Sequence, residues 1–126
     1  MHIEVLISPA VIVPTTPPPR PDTGALATFT GLVRGSENDQ PISALVYEAY
    51  QPMAETVTHR ILTELSLTHP CHSVLVQHRI GTVPVGSAAI HITVQAKHRA
   101  PAFALLAAFM DRLKQDVPIW KTDTVA

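Results

Sequence analysis

Two lysines frame a short apolar segment around residue 118. Lys114 and Lys121 stand seven positions apart in "LKQDVPIWKTD" (113–123), with Pro118 and the only tryptophan, Trp120, between them. Alone, each lysine is ordinarily a helix-terminal or solvated charge. Together they differ, because Pro118 fixes a sharp return that is expected to direct the second ammonium back towards the first. Two clustered ammonium groups repel, which lowers the pKa of one towards that of a nucleophile or general acid-base, and they also attract anions.

A second candidate site lies in "KHRAPAF" (97–103). His98 and Arg99 end a predicted strand immediately before a helix, whose first N–H groups are unpaired and bind phosphate or carboxylate readily. On local pattern alone, the alternative is a structural strand-end histidine beside a surface arginine. Arg34, in "GLVRG", ends another predicted strand, where a single arginine is ordinarily structural or solvated.

Other motifs that carry chemistry are missing from the sequence. "HPCH" (69–72) lacks the ligand spacing of a metal site, so we expect no metal there. His78 and Arg79 fall within a predicted strand, and we interpret both as structural. There is no glycine-rich phosphate loop, no Ser-His-Asp arrangement and no H-E-x-x-H motif. The chemistry is therefore expected to come from the lysines and the neighbouring cations.

These side chains need a scaffold of strands and helices to position them. Patterns of period two predict strands and patterns of period 3.6 predict helices, in the order β-β-β-α-β-β-α. The predicted strands are 3–8, 24–35, 43–50, 73–81 and 87–98, and the predicted helices run from Pro52 to about Leu67 and from Pro101 to Gln115–Asp116. Because Val117 precedes a proline, "IWK" (119–121) is predicted to leave as an extended segment. The fold class is α+β, a single domain over 1–126 with two main helices against a mostly antiparallel or mixed sheet.

Three connections and two helix faces complete this prediction. Residues 14–22 are rich in proline and are predicted to form a stiff surface loop. The polar segment 35–41 is a predicted turn or mobile loop, and 82–86 is a predicted connection. The apolar stripes expected to face the core are Met53, Val57, Ile61 and Leu65 in the first helix, and Phe103, Leu106, Met110 and Leu113 in the second.

The composition restricts the class of protein. Only 15% of residues are charged and 46% are hydrophobic, so we expect partner chains to cover part of the surface. A net charge of −1 argues against nucleic acid as a partner, and against a small RNA-binding domain built on "KHR" and "WK". The single cysteine, Cys71, forms no internal disulfide, and no apolar run reaches the roughly 18 residues of a membrane span. "MHIEVLISPAVIVP" has no basic n-region, so the cytoplasm is the expected location and no membrane is expected as a partner.

Five segments together resemble one family, the catalytic (large) subunit of molybdopterin synthase. They occur in that family's order and spacing over about residues 24–121, and they read "GALATFTGLVRG", "LVYEAYQPMAE", "HRIGTVPVG", "VQAKHRAPAF" and "MDRLKQDVPIWK". The pairing of "HR-x-x-AF" with "D-x-LK-x-x-x-P-I-W-K" is specific. The resemblance implies an α/β-hammerhead-like α+β fold.

The resemblance also implies an activity and a set of partners. The expected reaction takes sulfur from the C-terminal Gly-Gly thiocarboxylate of a small ubiquitin-like carrier subunit. It delivers that sulfur to cyclic pyranopterin monophosphate, and the product is molybdopterin. The expected assembly is a homodimer that forms a heterotetramer with two carriers. The pterin is the substrate, and no cofactor is implied.

Individual residues match positions of the family's motifs. By this resemblance, Lys114 and Lys121 are the active-site lysines. Arg34, His98 and Arg99 match positions that line the pterin phosphate pocket, and the last two are expected from the opposite subunit. A pocket-wall position matches Met110, one helical turn before the first lysine.

A second hypothesis is a non-catalytic relative that docks a ubiquitin-like carrier tail without turnover. The presence of both lysines with His98 and Arg99 favours the enzyme, because docking alone does not need all four. The sequence departs from the family in a short Pro-rich segment at 14–21 and in Ser87, where an acidic residue is common. Many members also have a pocket arginine after the "WK", whereas 122–126 contain none.

Overall fold

The computed structural model describes residues 1–126 and contains nine strands and two helices. The strands are β1 (His2–Ser8), β2 (Ala25–Leu32), β3 (Ser36–Glu37), β4 (Gln40–Pro41), β5 (Ala44–Ala49), β6 (Ser73–Arg79), β7 (Gly81–Pro84), β8 (Ala88–Ala96) and β9 (Ile119–Val125). The helices are α1 (Met53–Ser66), between β5 and β6, and α2 (Arg99–Asp116), between β8 and β9. The predicted α+β class with two main helices is confirmed.

The larger sheet has four strands in the order β1-β6-β8-β2. β1 runs parallel to β6, whereas β6 and β2 both pair antiparallel with β8. Most core-facing side chains of the central strands β6 and β8 are valine or isoleucine, which suit a pleated, buried surface. Both helices pack on one face of this sheet. The core between them includes the fully buried side chains of Phe109, Leu105, Ile61, Leu62 and Ile92.

A Pro-rich strap covers part of the opposite face of the sheet. Residues 11–20 form neither helix nor strand, as their prolines dictate. The side chains of β6 and β8 hold this strap by its carbonyl oxygens. Gln77 Nε2 donates to the Val13 carbonyl at 3.1 Å, Gln95 Nε2 donates to the Pro17 carbonyl at 2.7 Å, and Thr93 Oγ1 reaches the Thr15 carbonyl at 3.5 Å. The predicted surface loop is therefore anchored, and β8 is buried on both faces.

A smaller sheet carries the end of the chain beside α2. Its order is β7-β5-β9, with both outer strands antiparallel to β5. The predicted connection at 82–86 is wrong in part, because residues 81–84 form β7. The predicted extended segment 119–121 is the beginning of a seven-residue strand. Both patterns were too short to show alternation, and pairing with β5 decides their structure.

The polar segment 35–41, predicted as a turn or a mobile loop, forms a tight hairpin with a two-residue turn. β3 and β4 pair as Ser36↔Pro41 and Glu37↔Gln40. Asn38 and Asp39 have φ values of 50° and 61°. A two-residue turn with both residues left-handed matches the twist of a hairpin, and Asn and Asp tolerate that conformation.

Both predicted helix stripes need correction, because their first residues are exposed and because Leu65, Leu106 and Met110 are only partly buried against the core. Met53 and Phe103 are 51% and 61% exposed. The buried rows are Ala54, Val57, Thr58, Ile61 and Leu62 in α1, and Ala102, Leu105, Phe109 and Leu113 in α2. At 3.6 residues per turn, Phe103 lies about 120° around the helix from Phe109, so both cannot face one core. Neither helix has the length and apolar character that crossing a membrane requires.

Candidate active site

A cavity of about 310 Å³ opens where the C-terminal end of α2 meets both sheets. Helix α2 contributes Met110, Leu113 and Lys114, and β9 contributes Ile119 and Lys121. The remaining walls come from strands, and they are Phe29, Gly31, Leu32, Tyr47, His78, Ala89 and Ile90. Both predicted catalytic lysines and the predicted wall residue Met110 thus share one cavity.

The last turn of α2 places Lys114 at this cavity. Leu113 is buried in the core, so the next residue projects from the helix at the cavity edge. The helix ends at Asp116, because the next residue, Val117, is extended with ψ of 128°. The Val117 N–H still donates to the Leu113 carbonyl. Arg112 ties this turn to α1 by donating from Nη1 to Glu64 Oε2 at 2.6 Å. That hydrogen bond and charge hold the pKa of the Glu64 carboxyl below its ordinary value.

Strand β9 brings Lys121 to the same cavity from the other side. After Pro118 the chain turns and pairs with β5, and the register sets Lys121 opposite Tyr47. The return expected from the proline is therefore made by a paired strand. Lys121 Nζ lies 3.6 Å from Glu37 Oε2 of the hairpin, so this ammonium has a carboxylate partner.

Apolar side chains and a glycine give the cavity its shape. Phe29 and Ile90 form the sheet side, and Met110 covers it from the helix. A Cβ at Gly31 would lie 2.9 Å from Ile90 Cγ2, closer than a relaxed contact permits. The close packing of this cavity wall thus depends on the missing side chain of Gly31. Water-excluding walls strengthen the interaction of the lysines with an anion.

Two titratable side chains in the cavity were missed by sequence reasoning. The rings of Tyr47 and His78 pack edge to face, with centroids 5.4 Å apart. Burial raises the pKa of the Tyr47 phenol, and the carboxylate of Glu37 raises it further. His78 is buried and its Nδ1 donates to the Arg79 carbonyl at 2.9 Å, which leaves Nε2 as the ring's acceptor. Burial lowers the pKa of His78, although that hydrogen bond opposes the shift.

A signal for His78 was present in the sequence. It follows Val74 and Val76 at the same strand parity, so it continues a row of core-facing aliphatic side chains. A histidine in such a row must be buried, and a buried histidine beside two lysines is a candidate for function. Tyr47 carries no comparable signal, because its neighbours come from other strands.

The other three predicted site residues lie outside this cavity. Arg34 is exposed two positions beyond Leu32, which is a wall residue. His98 and Arg99 are exposed at the opposite end of α2. Lys114 is sixteen positions after His98 along α2, which is about 24 Å at 1.5 Å per residue. One chain does not bring these two groups together.

The surroundings of His98 suit an anion. It precedes α2 in an extended conformation, and no side chain caps the helix N-terminus. A shallow cavity of about 280 Å³ beside it is lined by Pro70, Cys71, His72, Lys97, His98 and Pro101. Burial raises the pKa of the Cys71 thiol, which disfavours its thiolate. No three His, Cys, Asp or Glu side chains are grouped closely enough to hold a metal ion.

Comparison with known proteins identifies the family. The family model described as MoaE protein matches residues 7–116. The chain belongs to the MoaE family. This membership confirms the resemblance inferred from the five sequence segments.

Proteins named molybdopterin synthase catalytic subunit are similar to the chain in sequence. It is 40% identical over 103 residues to the molybdopterin synthase catalytic subunit of Arabidopsis thaliana, which covers 82% of the chain and 52% of that protein. It is 38% identical over 103 residues to the human protein of the same name, covering 82% and 55%. The chain therefore spans about half the length of these curated relatives.

Solved structures agree with the fold. Molybdopterin synthase from Staphylococcus aureus superposes with a TM-score of 0.78 at 32% identity, covering 94% of the chain and 87% of that structure. A complex of subunits 1 and 2 of molybdopterin-converting factor from Helicobacter pylori gives a TM-score of 0.67 at 18% identity, covering 98% and 88%. The second likeness concerns the fold alone.

Proposed function

We propose that this chain is the catalytic subunit of a molybdopterin synthase. It transfers sulfur from the C-terminal thiocarboxylate of a small ubiquitin-like carrier to cyclic pyranopterin monophosphate, and molybdopterin is the product. The observation that carries this proposal is the convergence of Lys114 and Lys121 in one cavity of a MoaE-family chain. Relatives with similar sequences bear the name of this enzyme.

The cavity suits a reaction between two anions. A thiocarboxylate and a phosphorylated pterin repel each other, so a site that unites them needs more than one cation. Lys114 on α2 and Lys121 on β9 supply two ammonium groups to this cavity. The apolar side chains of Phe29, Ile90 and Met110 exclude water and thereby strengthen these charges. The pterin is the substrate in this scheme, and the proposed reaction uses no cofactor.

A second protomer completes the phosphate pocket in this proposal. Arg34, His98 and Arg99 are proposed to bind the pterin phosphate, the last two from the partner protomer. The support is geometric, because helix α2 keeps His98 about 24 Å from Lys114 of its own chain. In a homodimer whose two α2 helices are antiparallel neighbours, the N-terminal end of one helix lies beside the C-terminal end of the other.

The carrier is proposed to bind through its extended C-terminal tail, and two carriers on one homodimer form a heterotetramer. Trp120 is 54% exposed on β9 beside Lys121, and it is proposed as a wall of the tail channel. The Helicobacter pylori structure, which is similar to this chain in fold alone, is a complex of subunits 1 and 2 of molybdopterin-converting factor. Extended tails of this kind bind through main-chain contacts and side-chain pockets.

The proposed function is tested by product formation. The protein is incubated with a thiocarboxylated carrier and cyclic pyranopterin monophosphate, and the dithiolene product is sought by mass spectrometry. We expect the product with the thiocarboxylate and none with the carrier's plain carboxylate. Binding of the thiocarboxylated carrier without any dithiolene would contradict the proposal and favour a non-catalytic relative.

A further inference from the structure

The hairpin β3–β4 is joined to the rest of the molecule by one polar contact. Its backbone hydrogen bonds are internal, and Ile42 N donating to the Gly35 carbonyl at 3.1 Å closes its base. No side-chain hydrogen bond links residues 36–41 to another element. The only ion pair that does so joins Glu37 Oε2 to Lys121 Nζ at 3.6 Å. The position of the hairpin therefore depends on this pair and on the apolar residues at its base.

Lys121 lies between the active-site cavity and this carboxylate. It lines the 310 Å³ cavity together with Lys114. It also lines a neighbouring cavity of about 290 Å³, whose other residues include Glu37, Asn38 and Asp123. Lys121 therefore borders two cavities, one that a second lysine lines and one that carboxylate side chains line. The negative charge of Glu37 also reaches the cavity wall, because it raises the pKa of Tyr47.

We propose that Glu37 is the counter-ion of Lys121 in the free protein. An incoming oxyanion displaces Glu37 from the ammonium, and the hairpin that carries Glu37 then moves away. The exchange is feasible because the side chains are 50% and 24% exposed, and exposed ion pairs are weak. Because an anion must compete with Glu37 for Lys121, Glu37 lowers the affinity of the cavity for anions. A neutral ligand does not replace Glu37, so its affinity does not depend on this residue. The inference rests on the proposed function in one respect, which is that Lys121 belongs to an anion-binding site.

The chain offers a matched pair of variants to test this. Glu37→Gln removes the counter-ion but keeps the size of the side chain. Asp39→Asn removes the same charge from the tip of the same hairpin, and Asn tolerates the left-handed conformation found there. The probes are inorganic phosphate, a peptide that ends in Gly-Gly with a free carboxylate, and the same peptide with a C-terminal amide. Dissociation constants come from NMR titration, followed at the Lys121 amide and the Trp120 indole.

We expect Glu37→Gln to lower the dissociation constant of at least one oxyanion about threefold, the scale of an exposed ion pair. Asp39→Asn should change it by less than half that factor, and the amidated peptide should not respond. Tightening for phosphate alone assigns the subsite to the substrate phosphate, and tightening for the carboxylate alone assigns it to the carrier tail. In a Lys121→Gln background, the effect of Glu37→Gln should disappear.

Equal tightening in Glu37→Gln and Asp39→Asn would overturn the inference, because it would show a general effect of net charge. Unchanged binding in Glu37→Gln would overturn it as well. These titrations involve no sulfur donor, so they are independent of turnover. If Glu37→Gln binds oxyanions more tightly while the wild type yields no dithiolene, the inference stands and the proposed function fails.

Discussion

At the scale of single residues, Lys114 and Lys121 differ in how firmly the backbone aims them. Lys114 sits on the last turn of α2, where Leu113 is buried and Arg112 ties the turn to α1. Lys121 is on the edge strand β9, and its ammonium is held by a partly exposed carboxylate. Rigid placement is worth orders of magnitude in rate, so Lys114 is the better candidate for the chemical step.

Arginine substitutions separate a chemical role from an electrostatic one. Arginine keeps its charge but does not release a proton at physiological pH. We expect Lys114→Arg to behave like Lys114→Ala, with turnover at least ~10²-fold below wild type. Lys121→Arg should retain clearly more activity than Lys121→Ala. Single-turnover sulfur transfer by the four variants measures this, with carrier binding checked separately. Substantial activity in Lys114→Arg would leave both lysines as electrostatic groups.

The buried His78 makes the stability of the fold depend on pH. Its pKa is lowered in the folded protein, so the unfolded chain binds more protons at mildly acidic pH. Its contribution to stability is complete above the ordinary histidine pKa of 6.5 and is lost as the pH falls from there through the lowered folded value. We expect the free energy of unfolding to fall less steeply below pH 6.5 in His78→Asn, which keeps a donor for the Arg79 carbonyl. Urea denaturation across pH 5–8 measures both slopes, and parallel slopes would contradict the assignment.

The residues of the cavity were predictable to different degrees. Lys114, Lys121 and Met110 lie on one short stretch of chain, so motif and helical spacing pointed to all three. Tyr47 and Glu37 reach Lys121 through the pairing of β5 with β9 and through the hairpin turn. That pairing register is a tertiary property, and the local pattern does not contain it.

At the scale of elements, the junction between the strap and β2 relies on one glycine. The Gly24 N–H donates to the Ala96 carbonyl at 3.0 Å, and a Cβ on Gly24 would overlap the Lys97 carbonyl oxygen. Backbone atoms give way less readily than the tip of a side chain. The beginning of β2 can therefore lie this close to the end of β8 only because residue 24 has no side chain.

Two glycine substitutions test this contact. Gly24→Ala should destabilise the fold by about 1–3 kcal/mol, the range for overpacking a tight contact. Gly35→Ala is the control, because its Cβ would meet only Val85 Cγ1 at 3.9 Å, and its effect should stay within about 0.5 kcal/mol. Urea midpoints of the two variants give the comparison. Equal midpoints would show that the end of β8 can move.

The order of the long elements was predictable, and the short strands were not. Alternation in 87–98 and helical spacing in 101–115 are long enough to identify β8 and α2. β3, β4 and β7 have four residues or fewer, and each is defined by its partner strand rather than by its own pattern. The stripe that began at Met53 drifts by about 40° per step, because its residues repeat every four positions. The stripe that began at Phe103 has spacings of three, four and three, and it drifts in the opposite sense by about 80° over its length.

At the scale of the whole molecule, helix α2 is a spacer between two half-sites of the proposed homodimer. The lysines lie at its C-terminal end, and His98 with Arg99 lies at its N-terminal end. In the proposed homodimer each complete site then combines the C-terminal end of one helix with the N-terminal end of the other. Two protomers with substitutions at different ends of α2 can then still form one complete site. Two such protomers cannot do so when each site is built within one chain.

Mixing of inactive protomers tests this arrangement. Lys114→Ala and His98→Ala are each expected to form homodimers with little activity. In an equimolar mixture half of the dimers are hybrids, and each hybrid has one site without a substitution, so about a quarter of wild-type activity should return. Sulfur transfer is measured after co-refolding the two variants, with each variant refolded alone as the control. Activity no higher than that of the separate variants would place all catalytic groups within one chain.

The strap across β6 and β8 also has an evolutionary consequence. The sheet contributes the donors Gln77, Thr93 and Gln95, and the strap contributes only main-chain carbonyl oxygens. Every amino acid carries such an oxygen, so the side chains of residues 13–17 are free to drift while the backbone stays extended. Proline costs nothing at residues 13–17, because no N–H of these residues donates a hydrogen bond. Divergent homologues should therefore keep the three donors on the sheet and vary freely in the segment that they hold.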